Sequence, residues 1–300
     1  MKTCIRIVLG LSLGLLAGCP RPMTEPASYT EGNVALLRSA MGGDQAAAGP
    51  AAVVAEPTGW ATLRGTFKIS GQAPTPATVN VTSDHSVCMP GGRPVFSESV
   101  VVGPGGGLAN VAIYLETKYP DGDAKWEHPD ARAAASGQVD FDQKNCVFLS
   151  HVFAMSTTQT VRVLNSDPVG HNTKLEGGGG ARPDNFVVAA GGSAQYSPGG
   201  ESSEPFGVSC NIHPWMSAFC LVRKNPYFAV TDNEGKFEIA NLPAGVPLKF
   251  RVWQERTRFI PAVTATGQID KYSKGRLELK LDNDEQRELE LVLDAALLAP

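Results

Sequence analysis

Residues 210–216, Cys210-Asn211-Ile212-His213-Pro214-Trp215-Met216, constrain this chain more than any other stretch. They set a thiol, an imidazole and a thioether at C-x2-H-x2-M spacing, so one short loop must fold back for all three to face one point. A thiolate and an imidazole with a weak axial thioether suit copper when a second imidazole completes a trigonal plane. His171 is the candidate for that imidazole. Thr160-Val161-Arg162-Val163-Leu164 alternates as a strand does, Asn165 to Gly170 is a polar turn, and His171-Asn172 follows. A strand that ends, a turn and a histidine at the sheet's rim would bring this distant residue to the loop. Cys220, four residues beyond Met216, complicates the set. It is an inert buried thiol, an oxidation partner for Cys210, or a fourth donor that turns preference towards zinc, for which two histidines and two cysteines are a common structural set.

Three hundred residues give room for two small domains with real cores. With 42% hydrophobic and 19% charged residues, and with 32 Gly and 22 Pro, the chain favours strands and loops over helices. A formal net charge of −4 without a basic patch argues against nucleic acid as a partner. No G-x-S-x-G, H-E-x-x-H or paired-carboxylate cluster stands out, so we expect no enzyme.

The amino terminus reads as a leader. Lys2 and Arg6 precede an apolar run from Ile7 to Ala17, too short for a mature membrane span. Leu16-Ala17-Gly18-Cys19 resembles a bacterial lipoprotein lipobox, which implies cleavage before Cys19 and acylation of that residue. The expected localisation is therefore extracytoplasmic, with lipid holding the chain to the outer membrane, on its periplasmic side or at the cell surface. Residues 19–58, rich in Pro, Ala, Gly and Ser, read as a flexible tether with a short helical turn at 34–41.

Order should begin near Trp60, where Trp60 to Ile69 alternates at period two; Leu108 to Glu116 reads as another strand, and residues 121–137 as polar and loose. We expect residues 59–222 to form the metal-site domain with an N-terminal elaboration. Cys88 and Cys146 flank that elaboration. Outside the cytoplasm disulfides persist, so the two are expected to pair, which on the chain-entropy view is worth roughly 4 kcal/mol. Their other use would be as ligands, since His85 lies three residues before Cys88 and His151 five after Cys146. His151 stands one short strand ahead of the strand leading to His171, so an approach to the metal end is open to it.

Two family resemblances bear on function. N-x-D-x-x-x-H-N, followed 39 residues after its histidine by C-x2-H-x2-M, resembles the blue-copper proteins, the cupredoxins, and the short ligand loop is most similar to that of amicyanin. The resemblance implies an all-β Greek-key sandwich. It assigns His171, Cys210 and His213 as equatorial ligands of one type 1 copper, Met216 as the axial ligand and Asn172 as a residue of the surrounding shell. Pro214 and Trp215 would shield the ion and leave an electron exit at the His213 edge. Further on, Thr231-Asp232 to Ala244-Gly245 carries T-D-x-x-G-x-F-x-I-x-x-L-P-A-G, which resembles carboxypeptidase regulatory-like, transthyretin-like sandwiches; residues 223–300 are expected to be such a module, smaller than the first. The implied function is one-electron transfer by a membrane-tethered copper protein, with a periplasmic redox protein such as a cytochrome as partner. The alternative is a structural or carbohydrate-binding surface lipoprotein with a degenerate or zinc site.

Overall fold

A computed structural model describes residues 55–299. The leader, Cys19, the tether and the helical turn expected at 34–41 lie outside the described residues. Almost all the regular structure is strand. Two strands come first, β1 (Gly59–Ser70) and β2 (Ala112–Leu115). Nine follow: β3 (Gln138–Lys144), β4 (Val147–Phe148), β5 (Val152–Ser156), β6 (Thr160–Asn165), β7 (His171–Leu175), β8 (Asp184–Val188), β9 (Ser193–Tyr196), β10 (Phe206–Ser209) and β11 (Ser217–Arg223). The last eight are β12 (Phe228–Val230), β13 (Lys236–Ala244), β14 (Pro247–Gln254), β15 (Arg258–Phe259), β16 (Thr264–Thr266), β17 (Lys271–Ser273), β18 (Arg276–Lys280) and β19 (Gln286–Asp294). Two short helices, α1 (His85–Cys88) and α2 (Pro129–Ala134), lie between the strands.

The strands make two sandwiches. In the first, a five-stranded sheet ordered β5-β11-β10-β7-β8 faces a four-stranded sheet ordered β4-β3-β6-β9. Between them sit Phe141, Phe148, Met155, Val161, Val163 and Val208. These are the inward positions of the period-two pattern; Arg162, between Val161 and Val163, points to solvent. In the second, β13-β1-β19-β16 faces β12-β2-β14-β18-β17, with β15 added on β14. Its core is built from such residues as Leu63, Phe67, Ile113, Phe250, Leu279 and Leu291.

The first two strands are not an elaboration of the first sandwich. β1 pairs antiparallel with β13 and parallel with β19, and β2 lies between β12 and β14. The first sandwich is thus inserted between the second strand and the remaining strands of the other one. Alternation along Leu63, Gly65 and Phe67 tells which side chains face a core, not which core. The choice of core is made by partners about two hundred residues away.

The connection from β1 to β2 crosses back onto the first sandwich. Its residues 77–97 form a strap closed by the Thr78–Phe96 bridge, and Val79 N donates to Val95 O at 2.9 Å. Val81 and Cys88 of the strap are buried in the first sandwich's core. The two sandwiches also share a hydrophobic seam. Val152 and Leu221 meet Ala112, Tyr114 and Trp253 there, and the Phe219 and Trp253 rings lie 5.0 Å apart. Arg223 spans the seam, donating to Leu115 O at 3.2 Å with its guanidinium 4.9 Å from the Tyr114 ring centre.

Residues 121–137 are more ordered than their composition implies. Trp126 and Ala131 enter the second sandwich's core, and Trp126 stacks on Tyr119 with centroids 5.0 Å apart. A helix of six residues such as α2 is too short to show a period.

Because the sandwiches interlock, a chain ending at residue 224 loses both neighbours of β1 and of β2 and uncovers Val152 and Leu221. We predict no cooperative urea transition for it by tryptophan fluorescence, while the full chain shows one. A cooperative transition in the shortened chain would contradict this architecture.

Candidate metal centre

Three elements of the five-stranded sheet converge on one end of the first sandwich. β10 delivers Cys210 as its next residue, and the loop returns directly into β11, the two strands pairing through Ser209 and Ser217. The loop is closed on itself: Met216 N donates to His213 O at 2.9 Å, and Cys210 N to Met216 O at 3.4 Å. β7 lies on the other side of β10, with Ser209 opposite Lys174, so His171 at its start comes to the same end. The turn before it is pinned by Asn165, whose amide donates to Val169 O at 2.8 Å and to Val188 O and Ala189 O at 3.0 Å. That turn carries the chain from one sheet to the other.

The two imidazoles face each other across a thiol. His171 Nδ1 and His213 Nδ1 are 2.8 Å apart, and Cys210 Sγ lies 4.0 Å from each. Both outer nitrogens meet carboxylates: His171 Nε2 lies 2.9 Å from Asp167 Oδ2, and His213 Nε2 lies 2.9 Å from Asp84 Oδ2. A carboxylate oxygen accepts, so each Nε2 carries the proton and each Nδ1 keeps a bare lone pair. Two lone pairs and a sulfur therefore point into one space, where His171 and His213 are 0% exposed and Cys210 2%. Burial holds the His171 pKa below its usual value, and the Asp167 bond opposes this only in part. Protonating His171 is thus a poor way to relieve the crowding, whereas a cation among the three donors relieves it. A planar ion with bonds of about 2.0 Å to nitrogen and 2.3 Å to sulfur needs about 3.5 Å between nitrogens and about 3.8 Å from sulfur to each. The sulfur distances already fit; the imidazoles have to part by well under 1 Å.

The surrounding groups hold these donors in place. Asn172 Oδ1 accepts from Asn211 N at 2.6 Å and Ile212 N at 3.2 Å, and lies 3.5 Å from Cys210 Sγ; its amide donates to Asn185 Oδ1 at 2.8 Å. His213 N points at the sulfur from 3.4 Å. Met216 is buried in the same core cluster as Cys210. Trp215 packs edge-on to His213, centroids 5.1 Å apart, and its indole donates to Cys146 O at 3.1 Å.

Cys88 and Cys146 are joined as a disulfide. It ties together the carriers of the two carboxylates. Asp84 immediately precedes α1, which ends in Cys88. Asp167 accepts from the backbone N–H groups of Asn145 and Cys146 at 2.6 and 2.8 Å, and these two residues sit in left-handed conformation with φ of 54° and 53°. One carboxylate thus orients His171 and stabilises an unfavourable backbone turn.

Several expectations need correction. The His213 edge is not an exit to solvent: it is covered, and its outer nitrogen is taken by Asp84. His85 is exposed, and the strap's contribution is its neighbour Asp84. His151 does not join the ligands. It is buried at the seam, with Nδ1 3.1 Å from Ser217 O and Nε2 2.6 Å from Glu255 Oε2. Cys220 does not reach the cluster of His171, Cys210 and His213. It lies opposite Phe206, four residues back along β10 from Cys210, or about 13 Å at the rise of a strand. Both thiols are free, and burial pushes that of Cys220 far up. The zinc set of two histidines and two cysteines 210 and 220 is therefore not assembled.

Sequence reasoning did not single out the two carboxylates. Asp167 was within reach, being part of the N-x-D-x-x-x-H-N pattern. Asp84 carries no local signal, because the disulfide and the strap place it.

No protein-family model matches the chain, and no curated protein matches it. Among solved structures, it is similar to a copper-containing nitrite reductase from Thermus scotoductus SA-01, with 18% identity, 28% of this chain and 22% of that chain covered, and a TM-score of 0.26. It is also similar to amicyanin from Paracoccus versutus, with 16% identity, 37% of this chain and 97% of that chain covered, and a TM-score of 0.25. The reduced Cu(I) form of an amicyanin variant gives 15% identity over 37% of this chain and 98% of that chain, at a TM-score of 0.25. Each likeness covers a minority of this chain, and the site is read from its own atoms.

Removing the carboxylate behind one imidazole should weaken the centre without dismantling it. We predict that Asp84→Ala lowers Cu(II) affinity by about 10- to 100-fold in chelator competition, with Asp84→Asn in between; unchanged affinity in both would count against a role for Asp84. A second prediction concerns pH. His171 binds its proton less readily folded than unfolded, so the stability it contributes is complete above about 6.5 and is lost as pH falls towards its depressed folded value. Urea titrations of the metal-free protein should give a lower unfolding free energy at pH 5.5 than at 7.5, with a smaller difference in His171→Gln.

Proposed function

We propose that this protein transfers single electrons through one copper ion held by His171, Cys210 and His213, with Met216 as the axial ligand. The observation that carries the reading is the pair of Nδ1 atoms 2.8 Å apart, each with its outer nitrogen on a carboxylate and each 4.0 Å from the Cys210 sulfur. Copper there would supply a one-electron couple. The remaining work belongs to the chain.

Asp84 and Asp167 keep both imidazoles in one tautomer and one orientation. Donors that cannot move favour electron exchange, because little has to rearrange when the charge changes. The His213 N–H aimed at the sulfur draws on the thiolate's charge and is a lever on the potential, as is burial of the site. Asn172 ties the ligand loop to β7, so the donors from two strands shift together or not at all.

The rest of the reading rests on sequence. We propose acylation at Cys19 and anchoring to the outer membrane. The partner would be a periplasmic one-electron protein such as a cytochrome. Ile212, 47% exposed, and Val187, 73% exposed, flank Asn172 and offer apolar surface for such a contact.

The test is optical. Loaded with Cu(II), the protein should show an intense thiolate-to-copper band in the visible, absent in Cys210→Ser and altered in His171→Gly. A colourless copper complex in the unaltered chain would overturn the proposal.

A further inference from the structure

Beyond the proposed copper site, a second set of donors meets at the same histidine. The sulfurs of Cys88 and Cys146 and a ring nitrogen of His213 all lie within 4.8 Å of one another. Cys88 is 1% exposed, Cys146 0% and His213 0%. In the oxidised chain the sulfurs are spent on each other. In the reduced chain they are two thiols beside an imidazole, held by the same strap and the same Asp167-bound turn. We propose that the reduced Cys88–Cys146 pair and His213 form a second metal site, for a divalent thiophilic cation such as zinc, which the disulfide masks.

Charge decides the class of ion. Two thiolates and a neutral imidazole carry two negative charges, and the carboxylates of Asp84 and Asp167 stand close by. A monovalent ion would leave a net negative charge in a buried, already acidic place, which is costly. A divalent ion neutralises the thiolates, and sulfur and nitrogen donors suit zinc. Zinc–sulfur bonds of about 2.3 Å hold two sulfurs about 3.8 Å apart, within reach of two thiols on neighbouring segments.

The balance is simple. A phosphine reductant and one water convert the disulfide to two thiols and a phosphine oxide. Zn(II) then displaces both thiol protons. An added small-molecule disulfide then takes two electrons from the thiolates and is itself reduced to two thiols; closing the Cys88–Cys146 bond in this way removes two of the three donors and releases the ion. With Asp84 on its outer nitrogen, His213 has one lone pair to give, so the masked site and the copper site compete for it, and the oxidation state of Cys88 and Cys146 selects between them.

The experiment uses the full chain carrying Cys210→Ser, which removes the copper site's thiol and so separates the two readings. Zn(II) affinity is measured by chelator competition before and after phosphine reduction, with tryptophan fluorescence reporting the fold. The expected result is one Zn(II) bound at least about a hundredfold more tightly after reduction. The gain should vanish in a chain that also carries Cys88→Ser and Cys146→Ser. Equal affinity before and after reduction overturns the proposal, as does a gain that survives loss of both cysteines. A reduced chain that unfolds and is not returned to native fluorescence by Zn(II) overturns it as well.

Discussion

Two imidazole nitrogens with bare lone pairs, 2.8 Å apart and closed off from water, are the constraint on which the centre depends. Neutral rings left to themselves would turn away from each other or share a proton. Here neither outcome is easy. Asp167 and Asp84 occupy the outer nitrogens, and burial disfavours the charged form of His171. The protein therefore holds its donors against their own repulsion, and the energy comes from the fold around them.

That fold is a product of two sandwiches, not one. Asp84 belongs to a strap in the connection between two strands of the second sandwich, and Asp167 belongs to a turn that crosses between the sheets of the first. The disulfide joins the two carriers. The seam of Val152, Leu221, Tyr114 and Trp253 keeps the sandwiches together, and His151 reaches from Glu255 to the carbonyl of the residue after Met216. The ligand loop is thus braced from behind by the second sandwich and from the side by the strap. Removing the second sandwich would do more than shorten the chain, since it would release the support of one ligand.

What the sequence revealed and what it withheld follow one division. His171, Asn172, Cys210 and His213 were legible because each lies in a short motif at a strand end, where local spacing fixes geometry. The strands were legible from alternation at period two, as in Leu289, Leu291 and Leu293. Partnership was not: β1 looks the same whether it pairs with β13 or with strands of the first sandwich. The separation of Cys220 from the ligands also depends on register, since four residues of loop and strand read as nearness in sequence and as distance in the sheet. Asp84 was hidden for the same reason. Its role comes from a disulfide and a bridge between residues far apart in the chain, and nothing at position 84 announces it.

The central claim is that one sulfur and two imidazoles bind a single copper ion. X-ray absorption at the copper edge of the Cu(II)-loaded protein tests it most directly. The account predicts one short sulfur neighbour and two imidazole nitrogens, with the sulfur lost in Cys210→Ser. A first shell of nitrogen and oxygen alone, unchanged by that substitution, would contradict it.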